Sequence, residues 1–77
     1  MLTYDNRSVL HMTFGEAVIN LRSELRISQR KLAKDLNVSF VTVNRWENER
    51  TKPTKMTICV IRRYCKEHGL EFSFDEE

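Results

Sequence analysis

Only three residues, Asn37 to Ser39, separate two segments of this 77-residue chain in which apolar residues recur at helical spacing, 29–36 and 40–48. The first segment has three apolar residues for one buried face: Leu32, Ala33 and Leu36. Helices joined by so short a turn must cross steeply, and the small side chain of Ala33 lets them approach closely. Asn37 suits the turn because asparagine tolerates a positive φ. The spacing therefore predicts two short helices packed across each other.

A further helix is predicted on each side of this pair. Thr13 and Glu16 have the spacing of a capping box, so a helix begins there and continues to about Arg26. A last helix follows the N-cap residue Thr54 and ends near His68. Both carry an apolar stripe, and the predicted buried residues are Phe14, Val18, Leu21 and Leu25 in the first and Ile58, Ile61, Tyr64 and Cys65 in the last.

The two ends of the chain have weaker signals. Residues 1–12 fit an irregular arm or a short strand. Residues 70–77 form a tail in which Leu70, Phe72 and Phe74 alternate with polar residues, as in a short strand or an apolar segment packed on the body. We hypothesise that these three residues hold two subunits together, because a small core has little room left for them. The predicted fold is all-α: a compact domain of four or five helices over residues 13–69, with a short C-terminal strand at most.

The segment 40–48 carries the strongest functional signal. At about 100° per residue, a helix here buries Val43 and Trp46 on one side. The outward set is Phe40, Val41, Asn44, Arg45 and Asn48. A buried helix does not normally show Phe and Val to water. Apolar groups suit thymine methyls, an amide suits adenine and an arginine suits guanine, so this face is predicted to read base edges in a DNA major groove. Phe40 and Val41 also fit a protein-interaction patch.

The charge distribution favours a polyanionic partner for the middle of the chain. Residues 22–63 hold eleven Lys or Arg and four acids, a net charge of +7, whereas the last seven residues hold four acids and no base. Cys59 and Cys65 are six residues apart on one predicted helix, so they cannot pair with each other. Without a secretory signal, they fit a reducing, cytoplasmic setting. No run approaches the ~18 apolar residues of a membrane span.

No enzyme chemistry is expected. The sequence shows no nucleophile–base pair and no glycine-rich phosphate loop. Cys65 and His68 share a helical face, but two ligands are only half of a zinc site. We therefore expect neither a metal nor a cofactor.

The chain resembles the phage repressor and Cro family of helix-turn-helix proteins over roughly residues 14–69. The shared pieces, in the family's order and spacing, are Leu21-Arg22, Ser28-Gln29, Leu32-Ala33, Leu36-Asn37-Val38, Trp46-Glu47 and Pro53. Asn37 and Glu49 stand where the family usually has glycine. The resemblance implies a lambda-repressor-like domain in which Arg22 and Glu47 form a structural ion pair between helices 1 and 3.

The resemblance further implies sequence-specific binding of double-stranded DNA by a transcriptional regulator. Members usually act as homodimers on palindromic operators whose half-sites lie about one turn apart, ~34 Å. The expected base contacts are Phe40, Val41, Asn44 and Arg45, and the expected phosphate contacts are Ser28, Gln29, Asn48, Arg50, Lys52 and Lys55. Two other functions stay open. The chain could be the antitoxin of a toxin–antitoxin pair, or a protein-interaction module on the same scaffold.

Overall fold

The protein is described by a computed structural model over residues 12–75, so most of the expected N-terminal arm, residues 1–12, lies outside the described part. The helices are α1 (Phe14–Leu25), α2 (Gln29–Leu36), α3 (Phe40–Glu47) and α4 (Lys55–Glu67). Residues 12–75 contain no strand. The all-α prediction is confirmed, whereas the C-terminal strand, which was only one of two alternatives, does not form.

Each helix begins after a hydroxyl side chain that accepts a hydrogen bond from the third helical amide. The N-cap residues of α1 to α4 are Thr13, Ser28, Ser39 and Thr54, and the sequence analysis predicted helix starts at the first and last of them. At Thr13 the capping box is complete, because Glu16 also accepts from the Thr13 amide at 3.0 Å. These caps satisfy amide groups that have no partner within a helix, so the helix starts are determined locally.

A left-handed residue ends or closely follows each of the helices α1 to α4, and after α3 this residue is Glu49, with φ 58°. Asn37 has φ 60°, as expected, and the next amide, that of Val38, donates to the Ala33 carbonyl at 2.9 Å. Gly69, with φ 75°, follows α4. Arg26 ends α1 with φ 57°, although the sequence offers no glycine or asparagine there. Because Asn37 turns the chain directly after α2, the α2–α3 connection is only three residues long.

One core joins the helices α1 to α4. Its buried side chains are Phe14, Ala17, Val18 and Leu21 from α1, Leu32, Ala33 and Leu36 from α2, Val43 and Trp46 from α3, and Ile61, Tyr64 and Cys65 from α4. Leu25 and Val38 pack against this cluster from its edge. Helix α3 packs on both α1 and α2. Its orientation is therefore set by two neighbours at once.

The C-terminal tail packs on its own chain, which is one of the two forms that the sequence allowed, and its role between two subunits stays a prediction. Phe72 is only 7% exposed within the core, and Leu70 and Phe74 pack against that core. The Phe14 ring meets the rings of Phe72 and Phe74 edge-on, at centroid distances of 5.9 and 5.2 Å. The tail ends beside the start of α1, where the Asp75 amide donates to the Met12 carbonyl at 2.8 Å. These residues therefore complete the core of one chain.

The helices α1 to α4 include none that is long and apolar enough to cross a membrane.

Candidate nucleic-acid interface

The outer face of α3 combines exposed apolar and polar side chains. Val43 and Trp46 are buried, as the helical spacing predicted. On the opposite side, Phe40 and Val41 are 37% and 51% exposed, and Arg45 is exposed as well. Because the buried side anchors the helix, the exposed face can meet a partner without loss of core packing.

An ion pair fixes the C-terminal end of α3 to α1. The guanidinium of Arg22 donates to both carboxylate oxygens of Glu47, from Nε at 2.5 Å and from Nη2 at 3.0 Å. Its third nitrogen donates to the Ile27 carbonyl at 3.1 Å. The Glu47 side chain is 6% exposed and that of Arg22 is 22% exposed. The hydrogen bond to Glu47 raises the pKa of Arg22, which keeps the guanidinium charged.

The same carboxylate connects α3 to the first residue of α2. The Gln29 amide donates to Glu47 Oε1 at 2.8 Å, and the Gln29 oxygen accepts a long hydrogen bond from Asn44 at 3.4 Å. The Asn48 amide donates to the Asn44 carbonyl at 2.8 Å and to the Asn44 side-chain oxygen at 3.2 Å. Three of the residues expected to touch DNA, Gln29, Asn44 and Asn48, therefore form one chain of hydrogen bonds.

Glu49 forms a second connection to α1 that the sequence did not reveal. It has φ 58°, the left-handed conformation that makes glycine usual at this position. Its carboxylate accepts from the Gly15 amide at 3.0 Å and from the Thr13 hydroxyl, at the positive end of α1. A negative group at this helix end is electrostatically favourable. Two features of the sequence could have indicated this contact. Glu49 stands where the family usually has glycine, and Gly15 lies in the first turn of a helix, where glycine is unfavourable.

The other expected phosphate contacts lie around the edge of this surface. The Ser28 hydroxyl caps α2 and keeps its own hydrogen for an outside acceptor. Arg50, Lys52 and Lys55 are exposed on the loop after α3 and at the start of α4. The two lysines also line an open groove of about 530 Å³ with Pro53 and Phe74. The loop and the first residue of α4 thus carry three exposed cations beyond the end of α3.

A cation also covers part of Phe40. The guanidinium carbon of Arg30, on α2, lies 4.7 Å from the centroid of the Phe40 ring. One face of this expected base reader is therefore occupied, and no sequence pattern had singled out Arg30. Spacing along a single helix could not have found this contact, since the two residues belong to different helices.

Metal-binding groups do not come together in the described part of the chain. Residues 12–75 contain no group of three or more His, Cys, Asp or Glu side chains placed to hold a metal. Cys65 is buried, which raises the pKa of its thiol. His68 contacts the Tyr64 carbonyl through Nδ1 at 2.8 Å. Cys65 is therefore part of the core, and His68 contacts the last turn of α4.

A three-residue turn between two crossed helices, with the second helix exposed along one face, defines a helix-turn-helix domain. A helix-turn-helix family model matches residues 18–72. The chain belongs to this family, in its phage repressor and Cro-like branch. A curated relative is the HTH-type transcriptional regulator DicA of Escherichia coli (strain K12), 41% identical over 44 residues. The aligned part is 57% of this chain and 33% of DicA, so it spans about a third of that relative's length. No solved structure matches the chain.

Proposed function

We propose that this protein binds duplex DNA in a sequence-specific manner and acts as a transcriptional regulator. The observation that carries the proposal is the exposed face of α3, whose N-terminal residues Phe40 and Val41 stand clear of the core while Val43 and Trp46 hold the helix to the body. In helix-turn-helix proteins the second helix lies in the major groove and its first residues meet base edges. The family and the name of the relative DicA support the same function.

The base contacts in this proposal are Phe40, Val41, Asn44 and Arg45. Asn44 is half-buried, and its amide already bonds to Gln29 and Asn48. Because adenine recognition uses both ends of an amide, Asn44 has to exchange these bonds when it reads a base. Arg45 is exposed and can present a fork of donors to guanine without such an exchange. Arg45 is therefore the residue we expect to contribute most to sequence preference.

The phosphate contacts lie on both sides of α3. Ser28 and Gln29 lie at the start of α2, where free amides and the helix dipole favour an anion. Asn48, Arg50, Lys52 and Lys55 lie beyond the other end. Contacts to phosphates at both ends would fix the register of α3 in the groove. In this arrangement the protein works by binding alone, in the cytoplasm, with no cofactor and no catalytic residue.

A homodimer on a palindromic operator is part of the proposal. One subunit presents a helix of only eight residues, Phe40–Glu47, which covers few base pairs. Two subunits related by a two-fold axis would place two such helices about one helical turn apart, ~34 Å. Sedimentation of the whole chain, alone and with a selected duplex, tests this step separately from DNA binding.

The central experiment is selection of bound sequences from a random pool of duplexes. We expect enrichment of one short, two-fold symmetric sequence. Fluorescence titrations at several salt concentrations should then show tight binding to that sequence and weaker binding to a scrambled control, with affinity falling as salt rises. Absence of any salt-dependent binding to duplex DNA would overturn the proposal and favour a protein-interaction module.

A specific observation supports a protein partner as the second candidate. Met56 and Val60, one turn apart on α4, are 77% and 41% exposed beside a shallow groove lined by Val38 and Trp46. Such a surface could receive a toxin, as in an antitoxin. Co-purification of the chain with the product of an adjacent gene would favour this function, and it is compatible with DNA binding by α3.

A further inference from the structure

Arg30 and Phe40 form a contact between two helices on the outer surface of the domain. Arg30 is the second residue of α2 and Phe40 is the first of α3. The Arg30 guanidinium carbon lies 4.7 Å from the centroid of the Phe40 ring, within the range of a cation–π interaction. Both residues are exposed, so the contact is not part of the core.

This contact orients the guanidinium while leaving its donors free. A cation–π contact uses the positive charge of the guanidinium and occupies no hydrogen-bond acceptor, so the N–H groups of Arg30 still lack an acceptor. The Arg30 side chain forms no hydrogen bond or ion pair with any of residues 12–75. Lys31, in the same helical turn, instead pairs with Asp35 at 3.0 Å. Arg30 is therefore a positioned cation whose donors can bind an external group.

The position of Arg30 is electrostatically unfavourable in the isolated protein. It lies in the first turn of α2, near the positive end of the helix dipole, and that turn holds no acid. Lys34, four residues later and also exposed, repels it along the same side of the helix. An anion bound beside Arg30 would relieve both repulsions. The surroundings thus favour a negatively charged partner at this point.

We infer that Arg30 binds a DNA backbone phosphate and that Phe40 is its positioning residue. The inference rests on the proposed function and adds a residue to its interface. A phosphate is the expected partner because the first helix of a helix-turn-helix crosses the backbone, while the second enters the groove. Phe40 is the first residue of α3, so a phosphate bound by Arg30 would lie beside the end of the helix that enters the groove. The uncovered edge of its ring stays available to a thymine methyl.

The test is a double-mutant cycle on the selected duplex, with Arg30→Ala, Phe40→Leu and the double variant. Arg30→Ala should weaken selected and scrambled duplexes alike, by about fivefold, and lower the salt slope by about one per bound subunit. Phe40→Leu keeps an apolar side chain but removes the aromatic face, so it should reproduce the reduced salt slope. The double variant should have a salt slope no lower than that of Arg30→Ala alone. Phe40→Tyr keeps the face and should retain the wild-type slope.

Controls separate this role from a structural one. Lys66→Ala removes an exposed cation from the last turn of α4, and the salt slope should stay at the wild-type value. Thermal melts of all variants should agree within a few degrees, because both residues are exposed. If Arg30→Ala binds like wild type, or if the two single variants lower the salt slope additively, the inference is overturned and the proposed function stands. A wild-type chain that binds no duplex would overturn both.

Discussion

The carboxylate of Glu49 occupies the space that a side chain on Gly15 would need. A β-carbon added to Gly15 would overlap Glu49 Oε2 and would lie 2.7 Å from the Trp46 carbonyl oxygen. The start of α1 and the end of α3 therefore meet backbone to backbone, which only glycine permits. This approach, together with the Arg22–Glu47 pair, fixes the end of α3 at two points on α1.

Gly15→Ala should destabilise the protein by about 2 kcal/mol, because the added methyl overlaps a backbone oxygen that cannot move alone. Gly69→Ala is the matched comparison, since that glycine has φ 75° and open space, with no atom within 4 Å, where its β-carbon would lie. It should cost only about 1 kcal/mol, from backbone strain. Urea unfolding of the two variants measures the difference. Gly69→Asn should be more stable than Gly69→Ala, because asparagine tolerates a positive φ. Gly15→Ser should be no more stable than Gly15→Ala, because its β-carbon meets the same atoms.

Glu49→Gln should lower stability by about 1 kcal/mol, although it changes no contact distance. It removes a negative charge that accepts hydrogen bonds at the positive end of α1. Glu24→Gln, near the opposite end of α1, is the control, because its charge faces the negative end of the helix. That variant should be neutral or slightly more stable. Equal effects of the two variants in thermal melts would show that the position of Glu49 at the helix end is unimportant.

Glu47→Ala should be among the most damaging single changes. It leaves the partly buried Arg22 guanidinium and the Gln29 amide without their acceptor, at a cost of about 3 kcal/mol. Arg22→Met should cost at least as much, because it strands a carboxylate that is only 6% exposed. The double variant Arg22→Met/Glu47→Leu should recover a large part of the stability. Single variants as stable as wild type in urea unfolding would show that the pair contributes nothing to the fold.

The local features of the fold could be predicted from the sequence. N-caps, apolar stripes and the turn at Asn37 depend on residues within a few positions of one another, and most of these features form as expected. The exceptions are Leu25 and Ile58, which are only half-buried, and Ile58 lies outside the core cluster. The buried side of α3 was predictable for the same reason. Helical spacing alone places Val43 and Trp46 together.

Contacts between distant segments could not be predicted in the same way. Phe72 reaches Phe14 across 58 residues of sequence, and the alternation of residues 70–74 does not say which surface they cover. Glu49 bonds to Gly15, and Arg30 covers Phe40, through side chains on different elements. The Arg22–Glu47 pair was accessible beforehand only through the family resemblance. Charge and spacing identify such residues as exposed or buried but do not identify their partners.

Tyr64→Phe should change the acid stability of the protein. The Tyr64 hydroxyl donates to Asp35 at 2.7 Å, and this bond, followed by that from Lys31, lowers the pKa of Asp35. Because the folded pKa lies below the unfolded value of about 3.9, the stabilisation is present above about pH 4 and is lost as the pH falls through the folded pKa. The variant should lose on the order of 1 kcal/mol at pH 7 and approach wild type in strong acid. Urea unfolding from pH 2 to 7 measures this, and a constant difference would assign the loss to packing.

The roles of Arg45 and Lys52 on DNA should differ. Arg45 lies on the exposed face of α3, one turn after Val41, where its fork can meet guanine O6 and N7. Arg45→Ala should cost about 1–3 kcal/mol on the selected duplex and relax preference at one base pair per half-site. Lys52 lies on the loop beyond α3, where a phosphate is the nearer target. Lys52→Ala should weaken all duplexes alike and lower the salt slope by about one per subunit.

Titrations of selected and scrambled duplexes at several salt concentrations separate these two outcomes. The ratio of the two affinities reports base reading, because phosphate contacts are common to both duplexes. It should fall for Arg45→Ala and stay constant for Lys52→Ala. If Arg45→Ala weakened both duplexes equally, Arg45 would be a phosphate contact. Sequence preference would then depend on Phe40, Val41 and Asn44, and the hydrogen bonds that now hold Asn44 to Gln29 and Asn48 would have to open for it to read a base.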